Sequence, residues 1–170
     1  MNFLRTIILS SVIGLTSTAT LAAESGDPAI DFTLPLLENK SAGEAVNLSD
    51  FRGQLVYIDF WASWCGPCKK ALPELEELRA TYGSLGFEVL AVNVDEELDD
   101  ALGFLEDYPV SFPVVLDPKN VVIQQYEAPG MPTGYLVDAE GTVIYRHEGF
   151  RKGDGEEIEE KIKSVLMASK

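Results

Sequence analysis

The only two cysteines of this 170-residue chain, Cys65 and Cys68, are separated by two residues. Thiols at this spacing can close into a disulfide and open again, so the pair is a candidate redox site. A purely structural disulfide is a weaker alternative, because closing so short a loop removes little entropy from the unfolded chain. A zinc site needs four ligands, and the single histidine, His147, cannot complete one. We therefore predict a dithiol redox site that uses no metal and no cofactor.

The motif Trp64-Cys65-Gly66-Pro67-Cys68 lies between a predicted buried strand and a predicted helix. A thiol at the start of a helix faces the positive end of the helix dipole and unpaired backbone N–H groups, and both favour the thiolate. We predict that Cys65 is the exposed nucleophile and that Cys68, one turn into the helix, attacks the mixed disulfide and releases the product. The Gly-Pro pair between the cysteines favours the reducing end of the range of potentials that such sites span.

The elements that must position this motif follow from the apolar pattern. A run of β-prone residues at 55–60 predicts a strand covered on both faces, and apolar spacing predicts a helix over 69–82. An edge strand is predicted at 30–37, followed by a turn over 38–44. Further strands are predicted at 87–94, 113–116, 134–137 and 142–148, and further helices at 98–108, 120–126 and 156–167. This order predicts one α/β domain, residues 23–170, with a mixed sheet flanked by helices.

Residues 1–22 have the composition of a secretory signal peptide. They contain one base, Arg5, then an apolar stretch, and they end in small residues at Thr20 and Ala22. A retained membrane anchor is the alternative, but serine and threonine residues interrupt the apolar run, which is shorter than a span of about 20 residues. We predict an exported, periplasmic protein, in a compartment where disulfides persist.

Composition excludes several classes of function. The formal net charge is −15 and the sequence pI is near 4.3, so we expect no binding to nucleic acid, whose phosphates need basic patches. A hydrophobic content of 46% and a charged content of 24% are typical of a globular domain. We predict a monomer.

Residues 59–69, Asp-Phe-Trp-Ala-Ser-Trp-Cys-Gly-Pro-Cys-Lys, resemble the active-site segment of the thioredoxin superfamily. The sequence Asp-Phe-Thr-Leu-Pro at 31–35, residues 48–53, and the extra strand and helix around 98–126 are similar to the TlpA/ResA/CcmG-like branch of exported, often membrane-tethered proteins. The resemblance covers nearly the whole mature chain. It implies a thioredoxin-like fold, with an N-terminal β-hairpin and a central strand-helix insertion.

The same resemblance implies further substrate-binding residues. Met131-Pro132-Thr133 resembles the cis-proline loop of the superfamily, which would place Pro132 against the cysteines and leave the Met131 backbone to pair with a substrate strand. We also assign Trp64, Gly66 and Pro67, which surround the cysteines, to substrate binding.

Two acids are candidates for proton transfer to and from the thiols. Asp59 matches the buried carboxylate of thioredoxins, whose pKa burial would raise, so that it could take the proton of Cys68. Glu96 matches an acid that the ResA-like branch places near its cysteines, although a solvated position at a helix N-terminus is the alternative. Because that branch commonly has Asn at the position of Asp59, the sequence leaves open which acid titrates the thiols.

The resemblance implies an exported thiol-disulfide oxidoreductase that reduces disulfides of protein clients. A membrane thiol-disulfide electron donor would re-reduce it, and cytochrome c maturation is the process in which part of the branch acts. A peroxiredoxin is one alternative, because it shares the opening at 31–35, but its cysteine follows a Pro-x-x-x-Thr-x-x-Cys pattern that differs from the motif here. A binding or chaperone module with non-catalytic thiols is the other.

Overall fold

The computed structural model describes residues 23–38 and 40–168. These residues form one seven-stranded sheet and four α-helices. The strands are β1 (Thr33–Glu38), β2 (Ser41–Asn47), β3 (Leu55–Trp61), β4 (Phe87–Asn93), β5 (Val114–Leu116), β6 (Thr133–Val137) and β7 (Val143–Glu148). The helices are α1 (Cys68–Tyr82), α2 (Leu98–Asp107), α3 (Val121–Gln125) and α4 (Asp154–Ala168).

The sheet is mixed, as the sequence predicts, and its strand order is β2-β1-β5-β4-β3-β6-β7. The neighbours β3, β4 and β5 run parallel, whereas β6, β7, β1 and β2 pair antiparallel with their neighbours. Every residue of β3 is buried. A parallel strand in the middle of a sheet is covered on both faces, which explains why β3 is apolar almost throughout. The loop that follows β3 therefore leaves the sheet at a fixed, central point.

Helix α1 packs one apolar face against the sheet. Its buried side chains after the first residue recur at helical spacing: Ala71, Leu72, Leu75 and Leu78. Burying a leucine contributes about 2 kcal/mol. The Arg79 guanidinium also donates to the Glu88 carboxylate of β4 at 3.1 Å, which joins the far end of the helix to the sheet. The first turn of α1, where Cys68 lies, is thus held in place by the packing of the turns behind it.

The N-terminal hairpin is present, but two details of its prediction are wrong. The turn expected over 38–44 is shorter, because β2 begins at Ser41 and pairs with β1. In addition, β1 is not at the edge, since β2 covers one side of it and β5 the other. The side chains of β2 are mostly exposed, so its sequence carries no alternating apolar signal. Backbone pairing with β1, rather than burial, fixes this strand.

Within the described residues, no helix is long and apolar enough to cross a bilayer. The predicted signal peptide, residues 1–22, lies outside the described part of the chain.

Candidate active site

Cys65 and Cys68 form a disulfide with an S–S distance of 1.99 Å and a Cα–Cα distance of 5.4 Å. Cys65 lies in the loop after β3, and Cys68 is the first residue of α1. The Cys68 backbone N–H donates to the Cys65 sulfur at 3.3 Å. This donor and the positive end of the helix dipole both face the sulfur on which a thiolate would form when the bond is reduced.

The two cysteines differ in accessibility, although less than the sequence predicts. Cys65 is 4% exposed and Cys68 is fully buried. The prediction that Cys65 is exposed is therefore wrong for the disulfide form, because the bond to Cys68 draws its sulfur onto the first turn of α1. Cys65 is still the more accessible of the two. The residues around it are open: Trp64 is 70% exposed, and Gly66 and Pro67 are exposed as well.

The peptide bond between Met131 and Pro132 is cis, as predicted from the resemblance. The loop that contains it leads directly into β6, whose first residue, Thr133, pairs with Phe60 near the end of β3. This register places the proline beside the end of the strand that carries the cysteine motif. The Pro132 carbonyl accepts the Gly149 N–H at 2.8 Å, so the loop is held from its other side too.

Asp59 is 1% exposed and lies in β3 opposite Ala91 of β4 and Gly134 of β6. Its Oδ2 atom has no hydrogen-bond partner among the described residues. Burial raises the pKa of Asp59 well above the usual range, because the charged form loses its hydration. The predicted burial and the predicted direction of its pKa shift are both confirmed. The carboxyl group is suited to accept and release a proton inside the protein.

A cavity of about 820 Å³ opens beside the disulfide loop. Trp64 and Met131 line it, and so does Glu96, which is exposed to solvent. The structure therefore brings three of the predicted site residues to one surface. The remaining lining residues are acidic, polar or apolar, and none is basic: Val94, Asp95, Glu97, Asp100, Asn120, Ile123, Gln124, Glu127 and Ala128.

Asp95 is a site residue that the sequence reasoning missed. In the sequence it is the first of three consecutive acids before α2, a pattern typical of a solvated helix start. In the structure it is 5% exposed and accepts hydrogen bonds from Ser63 and Asn93. Its position directly after a buried parallel strand was the available signal, because loops that follow neighbouring parallel strands meet at one edge of the sheet.

No group of three or more His, Cys, Asp or Glu side chains in the described ranges could hold a metal ion.

Comparisons with known proteins agree with this geometry. The model of the AhpC/TSA family matches residues 25–146. The thiol-disulfide oxidoreductase ResA of Bacillus cereus is 32% identical over 164 residues, which cover 94% of this chain and 91% of that protein. ResA of Geobacillus kaustophilus is 36% identical over 142 residues, covering 81% of this chain and 79% of that one.

A solved structure shows the same fold. The crystal structure of a Chlorobium tepidum protein described as thiol:disulfide interchange protein DsbE aligns with a TM-score of 0.78 and 43% sequence identity. The alignment covers 84% of this chain and 98% of that one. The architecture is thus thioredoxin-like, as the resemblance implies. With its Cys65–Cys68 pair at the start of α1, this chain belongs to the AhpC/TSA family of the thioredoxin superfamily and is a thiol-disulfide oxidoreductase.

Proposed function

We propose that this protein is exported to the periplasm and reduces disulfides of protein clients there. The observation that carries the proposal is the Cys65–Cys68 disulfide itself, which lies at a helix start next to Trp64, a residue that lines an open cavity. The signal-like residues 1–22 support export, and the similarity to ResA supports thiol-disulfide exchange as the reaction.

The reaction begins from the reduced pair. The Cys65 thiolate attacks one sulfur of the client disulfide, so that a mixed disulfide forms and the first client thiolate leaves. Cys68, after losing its proton to Asp59, then attacks the Cys65 sulfur. The mixed disulfide breaks, the second client thiolate leaves, and the Cys65–Cys68 disulfide forms. Two electrons pass to the client, and a membrane thiol-disulfide donor returns the protein to its reduced form.

The surface around Cys65 receives the client. The exposed Trp64 indole and the half-buried Met131 offer apolar contact in the cavity lining, and the backbone at Met131 can pair with an extended client strand. Gly66 and Pro67, which are exposed next to Cys65, extend this surface. Clients with cysteines in extended, unfolded segments fit this surface, and the haem-site cysteines of apocytochromes c are clients of that kind.

Insulin reduction tests the proposal. Wild-type protein in the presence of dithiothreitol should reduce insulin, whereas Cys65→Ser should lose all activity above the dithiothreitol background. Cys68→Ser should stop at the mixed disulfide, which mass spectrometry under non-reducing conditions would detect. Activity retained by Cys65→Ser would overturn the mechanism.

The family match raises peroxide reduction as a second candidate. Two assays on the wild-type protein separate the two reactions. If the reduced wild-type protein consumes peroxide without an added dithiol partner while it fails to reduce insulin, the peroxidase function is correct instead. Insulin reduction without peroxide consumption supports the reductase.

A further inference from the structure

The Asp95 carboxylate reaches from the end of β4 across to the loop that carries Cys65. The Ser63 backbone N–H donates to Asp95 Oδ2 at 2.9 Å, and the Ser63 hydroxyl donates to Oδ1 at 2.9 Å. The side-chain amide of Asn93 donates to Oδ2 at 2.8 Å. One carboxylate therefore ties the disulfide loop to the segment that leads into α2.

Two backbone hydrogen bonds near these contacts also hold the loop in place. The Val94 N–H donates to the Trp61 carbonyl at 3.0 Å, which extends the parallel pairing of β3 and β4 by one step. The Cys65 N–H donates to the Ala62 carbonyl at 3.1 Å, which closes a turn around Ser63. Ser63 is thus fixed by Asp95 from one side and by this turn from the other. The position of Cys65, two residues later, depends on both.

The Asp95 carboxylate is hydrogen-bonded to Ser63, two residues before Cys65, so it carries its charge close to the cysteine loop. Its hydrogen-bond donors, Ser63 and Asn93, are neutral, and no ion pair to Asp95 is present among the described residues. Because Asp95 is almost fully buried, solvent and salt screen its field little. The other carboxylates that line the cavity, Glu96, Glu97, Asp100 and Glu127, are exposed and therefore better screened. A fixed negative charge near a thiol disfavours the thiolate, which opposes the effect of the α1 N-terminus.

We propose that Asp95 is a positioning residue of the thiol-disulfide site, which holds the Ser63–Cys65 loop and disfavours the Cys65 thiolate, so that the pair stays reducing. This proposal rests on the proposed function. A destabilised thiolate makes the dithiol a stronger reductant, whereas strong oxidants of this fold have a stabilised reduced form. Asp95 and the start of α1 act on Cys65 in opposite directions, and their balance sets the potential.

Asp95→Asn removes the charge with little change of shape: its amide oxygen can still accept from the Ser63 hydroxyl, and its amide nitrogen replaces the oxygen that accepts from Asn93. We expect the Cys65 thiol pKa, followed by thiolate absorbance, to fall. The equilibrium with glutathione should shift about tenfold towards the dithiol, which corresponds to about 30 mV. A variant that folds less stably but keeps the wild-type thiol pKa and equilibrium would show a merely structural role and overturn the proposal.

Two further variants complete the test. Glu97→Gln removes an exposed carboxylate of the same cavity, and we expect no change in the equilibrium; a shift equal to that of Asp95→Asn would overturn the proposal in favour of a diffuse charge effect. Ser63→Ala keeps the Asp95 charge but removes its hydroxyl donor, so the thiol pKa should rise. An unchanged or lower pKa in Ser63→Ala contradicts the proposal even if Asp95→Asn does not fold.

The wild-type protein separates this inference from the proposed function. If the wild-type equilibrium is that of a reductant and Asp95→Asn leaves it unchanged, only the role of Asp95 fails. If the wild-type pair is itself strongly oxidising, the proposed reductase function fails first.

Discussion

The hydroxyl of Tyr57 in β3 occupies the space above Gly134 in β6 where any larger residue would place its Cβ. Tyr57 is fully buried, and Gly134 is paired with Asp59 across the two strands. The glycine is therefore required by the neighbouring side chain and not by its own backbone conformation. The contact leaves no room for a side chain at this position of β6, two residues after Pro132 of the cis-proline loop.

We expect Gly134→Ala to destabilise the protein by about 3 kcal/mol, because the new methyl group overlaps a buried ring that cannot move away without disturbing the core. Urea unfolding of the disulfide form measures the change. Gly103→Ala is the matched control, since Gly103 lies in α2 with nothing near its Cβ position, and it should stabilise by about 0.5–1 kcal/mol. Equal effects of the two changes would contradict the close contact.

Asp59 should make stability depend on pH. Burial raises its pKa in the folded state, so its contribution is fully present below the usual carboxyl pKa of about 4 and is lost as pH rises through the folded-state pKa. Asp59→Asn cannot ionise. The stability of this variant relative to wild type should therefore increase as pH rises from about 4.

Urea unfolding of both oxidised proteins across this pH range checks that slope. A stability difference that stays constant with pH would contradict the raised pKa.

The step in which Cys68 attacks the mixed disulfide should slow by about 100-fold in Asp59→Asn, since the variant has no base for the Cys68 proton. Stopped-flow decay of a pre-formed mixed disulfide measures this step.

Glu96→Gln tests the other acid that the sequence left open, Glu96, which is exposed and lines the cavity. The same rate measured in both variants decides which of the two acids takes the proton. Slowing in Glu96→Gln but not in Asp59→Asn would transfer the proton role to Glu96.

The acidic lining of the cavity should favour clients with basic residues beside their cysteines. For disulfide peptides that carry Lys or Glu at that position, we expect kcat/KM to favour the Lys peptide by about fivefold at low salt and less at high salt. Neutralising Glu97, Asp100 and Glu127 together should remove the preference.

The control neutralises three exposed acids that do not line the cavity, Glu44, Glu140 and Glu160, and the preference for the Lys peptide should remain. A preference that persists in the first triple variant would contradict the assignment.

Much of the fold follows from the sequence because its central elements are buried. The apolar run that became β3 and the helical spacing of α1 are direct consequences of packing, and both are found where predicted. The hairpin was expected from the resemblance, but residues of β2 were assigned to a turn, because this strand is fixed by backbone pairing and has few buried side chains. Local patterns carry no information about such partners.

The candidate site also has features that the sequence predicts and features that it does not. The cysteine motif, Asp59 and the cis-proline loop could be placed from the sequence, because type, spacing and resemblance identify them. The burial of Cys65 and the contacts of Asp95 could not, since they depend on a loop whose path is set by two strands at once. An acid in an acidic run has the same sequence signature whether it is solvated or buried.

The equilibrium of the wild-type Cys65–Cys68 pair with glutathione is the most direct test of the reductase function. Fractions of dithiol and disulfide at defined ratios of reduced and oxidised glutathione give the potential. We expect a value near that of thioredoxin, about −270 mV, or more negative. A value near that of the strong oxidant DsbA, about −120 mV, would contradict the function proposed for this protein.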